Sequence, residues 1–313
     1  MAVSIEAAGP QRAGSASLRL RRAILGDAAL GIALSLPVIL LMTALVFAPA
    51  LVSLWDSFHR VNPMLPGEPF IGLRNYTQMF ADPAVRAAWW NTWIYVVLAV
   101  ALELAAGLAA ALLLNALRIG RRWMLAAVIL PWALPPVVNA IVWAWIYNPR
   151  YGLLNGLLVQ LGLLEETGRV WMNSQGTALV LVTLVHVWRM MPLNAVILLA
   201  ALQSVPNELY EAAKVDGSTP WHSFRTITLP LISGALGIAL TQSTITAFNL
   251  FDEAWILNGA SATTRPIQGQ IYITAFQNLR FSYGMAMSIT VMLVSVAVSA
   301  LYVRRIYRET RYD

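Results

Sequence analysis

Six apolar stretches, each long enough to cross roughly 30 Å of hydrocarbon, alternate with polar segments along the chain. The first covers residues 27–55 and has no charge after Asp27. The second covers 89–117 and is interrupted only by Glu103. The others cover 123–147, 176–202, 227–251 and 283–303. Runs of this length, apolar on every side, predict helices that span a bilayer, because only a helix satisfies its own backbone polar groups there. The predicted fold class is an all-α polytopic membrane protein with six transmembrane helices.

An even number of spans puts both termini on one side, and the basic residues choose the side. Thirteen arginines and lysines sit in the N-terminal tail, the link after the second span, the link after the fourth, and the C-terminal tail. Seven sit in the three opposite loops, which are longer. The positive-inside rule then predicts cytoplasmic termini. The first apolar run is about twice the length of a signal-peptide core, so it reads as an uncleaved span. Residues 1–26, rich in Gly, Ser and Arg, read as a disordered cytoplasmic tail. Residues 27–305 form the membrane domain and 306–313 a second cytoplasmic tail.

Composition narrows the chemistry. Charged residues are 12% and hydrophobic residues 58% of 313, with a mean hydropathy of +0.65, whereas a soluble domain is nearer a quarter charged. Cysteine is absent, which removes disulfide and thiolate chemistry. His59, His186 and His222 lie far apart and have no metal-ligand spacing. The one lysine, Lys214, is not preceded by glycine, so the chain lacks a phosphate-binding loop for ATP. The net charge of +6 is accounted for by membrane topology and needs no nucleic acid.

The link between the fourth and fifth spans, residues 203–226, is longer than a bare connection needs. Pro206 suits a first helical turn, Glu208 and Glu211 favour the positive end of the dipole, and Gly217 suits a left-handed helix exit. A short helix outside the membrane is predicted. Ala212 and Ala213 give it a thin side that would fit a groove on a partner. Trp221, Phe224 and Ile227 would anchor the following segment at the interface. An amphipathic connector lying on lipid is the competing reading of these residues.

The order of residues decides between the two. Pro206, Glu211, Ala212, Ala213, Asp216, Gly217, Phe224, Ile227, Leu229 and Pro230 resemble, at their spacing, the coupling loop of binding-protein-dependent ABC-importer sugar permeases. Ser218 stands where that family often has Ala. Further likeness lies in Ile71, Gly72, Leu73, Arg74, Asn75 and Tyr76, in Leu130, Pro131 and Trp132, and in Tyr151, Gly152, Leu153, Leu154 and Asn155. It continues in Val187, Trp188, Arg189 and Pro192, and in the run Phe248 to Glu253. The resemblance implies a type I ABC-importer transmembrane domain, the first of two paired permeases for maltose or glycerol phosphate-type solutes. It implies a second homologous permease, two ATPase subunits that carry the ATP and Mg, and an external sugar-binding protein. Glu208, Glu211, Ala212, Ala213, Asp216 and Gly217 would then couple to the ATPase. No cofactor is expected on this chain. Loops at 60–87, 149–175 and 252–282 would offer the binding protein a landing surface; simple solvated loops are the equal alternative.

Polar groups inside the spans are expensive and ask for partners. Glu103 and Arg189 are expected to pair with each other or with freed backbone; the alternative is a wet cavity walled by Arg189. Pro192 is expected to leave the carbonyl of Trp188 free and the fourth span irregular. His186 reads as a bundle histidine, with no intramembrane carboxylate near it in sequence. Pro131, Pro135 and Pro136 should fix a kink in the third span. Gln242, Thr246, Asn249 and Glu253 fall at i, i+4, i+7 and i+11, one helix face. With Asp252, Trp188 and Arg189 they form the expected solute pathway, Asn249 with Trp188 or Phe248 offering a sugar both polar and aromatic contacts. Hydrogen bonds between helices are the competing reading and account for one or two of the four stripe residues.

Three other readings stand beside this one. A permease for a phosphorylated polyol would use Arg189 to hold the anion. A gradient-driven secondary transporter would cycle Glu103 and Arg189, but no inverted repeat is visible. An intramembrane enzyme lacks a metal cluster, a cysteine and a serine–histidine arrangement.

Overall fold

The computed structural model describes residues 29, 31–64, 66–117, 119–165, 168–259 and 261–309. The tail expected at residues 1–26, and residues 310–313 of the C-terminal one, lie outside them. The chain divides into two units, Met1–Trp55 and Asp56–Asp313. The first holds nearly all of helix α1, Gly31–Asp56. Its irregularity, a π turn at Thr43–Phe47, lies just before Pro49, whose ring removes a helical donor.

The second unit is helical, and its described residues contain no strand beyond an isolated bridge between His59 and Phe70. It opens with α2 (Arg74–Ala81) and α3 (Pro83–Ala116). Asp82 caps α3, accepting from Ala84 N–H, and Pro83 takes the first position, where a missing donor is harmless. Next come α4 (Arg121–Ala133), α5 (Pro136–Ile146), α6 (Leu153–Gln160) and α7 (Gln175–Gln203). A short helix, α8 (Asn207–Val215), leads to α9 (Pro220–Leu231) and α10 (Ser233–Phe248). The chain ends with α11 (Asp252–Asn258), α12 (Ile267–Tyr272) and α13 (Phe281–Glu309).

Helices α1, α3, α7 and α13 are each long and apolar enough to cross a membrane. Two bent pairs, α4 with α5 and α9 with α10, bring the number of spans to six if each pair counts as one. The third span is therefore broken rather than kinked: its halves meet at 96°, where Leu134 and Pro135 are extended. The fifth begins earlier than its apolar run, at Pro220, and bends by 71° near Ile232. The fourth corrects an expectation in the other direction. α7 runs through Pro192 as one continuous helix.

The core is built on α3 and α7, which lie side by side and parallel. A cluster at one end joins Val85, Val96 and Ala99 of α3 to Val187 of α7, Ile267 of α12 and Met287 of α13. Another at the far end joins Ala111 and Leu114 of α3 to Leu198 and Leu202 of α7 and Ile232. Gly107 permits the close approach between them, since a Cβ there would lie 2.8 Å from the Cβ of Asn194. Polar clamps fix the first end. Asn91 Nδ2 donates to the carbonyls of Thr263 (3.0 Å) and Arg265 (3.1 Å), and Gln175 Nε2 to that of Thr263 (2.8 Å). The loop after α11 thus sits over one end of the bundle, and α8 lies at the other.

Candidate coupling surface and solute pathway

Helix α8 carries Glu208 in its first turn and Lys214 in its last, both favourable to its dipole. It closes as expected. Gly217 adopts φ +75°, Ser218 N–H donates to the Ala213 carbonyl at 2.8 Å, and Gly217 N–H donates to the Lys214 carbonyl at 3.1 Å. Tyr210 points inward, its hydroxyl 2.9 Å from the Thr228 hydroxyl on α9, and pins the helix to the bundle. The opposite side is free. Leu209, Ala212 and Val215, at i, i+3 and i+6, form an exposed apolar strip in which Val215 is 88% exposed. Glu208, Glu211 and Asp216 flank it and are exposed, whereas Ala213 is half-buried. Thr219 caps α9 by accepting from His222 N–H. Trp221 stacks on Phe224 with ring centroids 5.5 Å apart.

The polar stripe of the fifth span is shorter than its sequence period implies. α10 ends at Phe248, and residues 249–251 are not helical. Asp252 and Glu253 belong to α11, so a face extrapolated past the helix end does not exist. Gln242, Thr246 and Asn249 remain on α10 and its cap. The Thr246 hydroxyl lies 3.0 Å from the Gln242 carbonyl it donates to. Asn249 is exposed; its Nδ2 donates to the Ile245 carbonyl at 2.9 Å, and its Oδ1 accepts from Gln268 Nε2 at 2.9 Å. Phe248 is buried between Trp89 and Trp93 and is not available to a solute. Trp188 is 46% exposed and meets Trp143 edge-on, centroids 6.2 Å apart. Beyond the break, Phe251, Trp255, Tyr272 and Phe276 form a continuous run of rings with centroids 5.1–5.5 Å apart.

The buried charges pair differently from the expectation. Arg189 meets Glu253, its Nε and Nη2 at 3.1 and 3.0 Å from Oε1. His186, one turn away on α7, places Nδ1 3.3 Å from that same oxygen and Nε2 3.4 Å from Glu103 Oε1. Asn194 donates to Ser243 Oγ at 2.7 Å and reaches Glu103 Oε2 at 3.4 Å. The histidine that lacked a carboxylate in sequence therefore sits between two, one from α3 and one from α11. Placing Glu253 here binds α11 to the span bundle, because an unpaired buried carboxylate would be strongly unfavourable.

Residues 103–312 match the family described as binding-protein-dependent transport system inner membrane component. The chain belongs to that family. Its relatives include the trehalose/maltose transport system permease protein MalF of Thermococcus litoralis, 32% identical over 282 residues, covering 89% of this chain and 94% of the relative. The sn-glycerol-3-phosphate transport system permease protein UgpA of Yersinia pestis is 33% identical over 283 residues, covering 88% and 93%. Among solved structures, a bacterial ABC transporter involved in the import of the acidic polysaccharide alginate shares the fold. Its TM-score is 0.78 at 23% identity, over 93% of this chain and 99% of that one.

This permease is a multi-pass membrane component of an ABC importer, a transport subunit rather than an enzyme. The residues expected from sequence to couple to an ATPase gather on one small helix and its exit, Asp216 at the cap and Gly217 after it. The pathway residues do not gather: Gln242, Thr246 and Asn249 stay together, Arg189 and Glu253 join a buried ion pair, and Trp188 packs against α5. Leu209 and Val215 were not singled out from sequence, though an i, i+3, i+6 count brings them onto one face with Ala212. Neither was Gln268, whose bond to Asn249, nineteen residues away, has no local signal.

Proposed function

We propose that this permease moves a carbohydrate, delivered by an external binding protein, through a cavity shared with a second homologous permease. Two ATPase subunits carrying ATP and Mg drive it from the cytoplasm. The observation that carries the reading is the exposed strip of Leu209, Ala212 and Val215 flanked by acids. It is a helix pinned on one side and bare on the other, as a docking element needs. The end of the bundle bearing α8 then faces the cytoplasm, with both termini, in keeping with the basic residues there. Gly217 closes that helix, Glu211 and Asp216 flank its bare strip, and ATP-driven closure of the motors moves it with them. The cavity alternates between inward and outward access as a result.

Asn249 and Gln268 supply neutral donors and acceptors, with Gln242 and Thr246 below them, which suits hydroxyl-rich solutes. A phosphorylated polyol is the second reading, favoured by the relative named for sn-glycerol-3-phosphate. Against it, Arg189 is engaged by Glu253 rather than open to an anion. The test is recovery of the tagged chain from gently solubilised native membranes. An ATPase, a second permease and a binding protein are expected with it, the last then screened against sugars and polyol phosphates. A chain recovered alone, or only with itself, would overturn the proposal.

A further inference from the structure

At the end of the bundle opposite α8, three arginines line one cavity of about 280 Å3. Arg60 comes from the segment after α1, Arg74 opens α2, and Arg280 immediately precedes α13. The remaining polar lining is neutral, from Asn62, Asn75, Gln78 and Ser282 among others, and no carboxylate lines it. Asp82, beside it, is already engaged: Oδ1 accepts from Ala84 N–H and Oδ2 from the Tyr283 hydroxyl at 3.2 Å. Neither Arg60 nor Arg74 makes an ion pair among the described residues. Three like charges facing one small space repel each other until an anion enters, and guanidinium forks are shaped for carboxylate, sulfonate or phosphate.

The walls are held in place. Ile71 N–H donates to the Phe58 carbonyl at 2.8 Å, Arg60 N–H to that of Pro69 at 3.0 Å, and Val61 N–H to Ser282 Oγ at 3.3 Å. Arg280 lies over the Tyr283 ring, 4.2 Å from its centroid. Leu279, just before it, is the described residue other than glycine with a left-handed backbone, φ 55°. A leucine is strained in that conformation, which reverses the chain so that the Arg280 backbone N–H donates to the Thr274 carbonyl at 3.0 Å.

We infer that this cavity is a socket for one acidic side chain of the external binding protein, which rests on such a protein being the partner proposed above. The position favours a side chain over a solute. Small-molecule sites bury most of their ligand, whereas the three arginines here are exposed at the end of the bundle. Exposure of all three arginines also fits a rim contact, which governs encounter rate and salt dependence more than residence time. The socket is built from the segment after α1, α2 and α13, apart from the α10 and α12 residues assigned to the solute.

The experiment uses the complete importer in lipid nanodiscs and the binding protein that co-purifies with it. Replacing all three residues together (Arg60→Gln, Arg74→Gln, Arg280→Gln) should slow association about tenfold at low salt and flatten its salt dependence. Basal ATP hydrolysis without binding protein should stay at the wild-type level. Because the chain has no cysteine, Gln78→Cys carrying a photo-crosslinker, on the background with all three arginines, should also attach the binding protein. Unchanged association, or crosslinking that never captures it, would overturn the socket. So would unchanged docking with a raised KM for an anionic solute, which would make the cavity a solute site. A wild-type importer that binds no such protein would instead refute the functional reading beneath it.

Discussion

Gly107 and the Arg189–Glu253 pair show what single positions do here. A Cβ at residue 107 meets the Asn194 Cβ at 2.8 Å and the Ala195 backbone at 3.3 Å, so α3 and α7 would have to part. Gly107→Ala should lower stability by about 1–3 kcal/mol, read as a fall in Tm of the purified protein. Gly176→Ala, where no atom lies within 4 Å, should not lower it. Arg189→Met leaves Glu253 with only His186 and should cost about 3–5 kcal/mol. Adding Glu253→Leu should recover part of that loss, and a double-mutant cycle by thermal unfolding measures the coupling. Additive losses would mean the pair does not interact. A third position bears on transport. Asn249→Ala should impair uptake into proteoliposomes and leave assembly intact, since its side chain is exposed and holds only Gln268 across the break; wild-type uptake would remove it from the pathway. Glu103 and Arg189 were legible as costly intramembrane charges, and Glu253 only as the end of a polar stripe. Their pairing was not, because it depends on α3 and α7 running parallel and on α11 folding back, facts that separations of 64 to 91 residues do not contain.

At the level of elements, the helix periods and breakers were informative in proportion to how local their causes are. α8 was legible from Pro206 to Gly217 because capping, dipole and left-handed exit act within one or two turns. Its exit tests that account. Gly217→Val has open space around it but a forbidden φ, so it should cost about 1–2 kcal/mol locally. The loss should appear as weaker ATPase recruitment rather than as loss of the membrane fold. Pro135 and Pro136 announced an interruption in the third span, but the 96° turn follows from how α5 packs on α11 and α7, which is tertiary. The bend between α9 and α10 falls at Ile232, between Pro230 and the Ser233–Gly234 pair, breakers that the apolar run of 227–251 overshadowed. The end of α10 at Phe248 falls inside that same run and was not legible. Pro192 was over-read, because a helix packed against α3 and α10 keeps its continuity through the proline.

For the whole molecule, six apolar runs and the distribution of arginines were enough to place the chain in a membrane and to predict its direction. The helix ends agree on one point: α8 and the cavity of Arg60, Arg74 and Arg280 lie at opposite ends of the bundle. Membrane-impermeant maleimide should therefore label Asn62→Cys in intact cells and label Glu208→Cys only after permeabilisation; the reverse pattern would invert the orientation. Both positions are outside the spans, and the absence of native cysteine makes the labelling specific. The most direct test of the central claim is the amount of ATPase recovered with the tagged full-length chain when the bare strip of α8 is altered by Ala212→Arg. Wild type should bring the ATPase down, and the variant should bring down about tenfold less or lower still, while retaining the second permease. Equal recovery from both would contradict the assignment of Leu209, Ala212 and Val215 as the surface through which the motor acts.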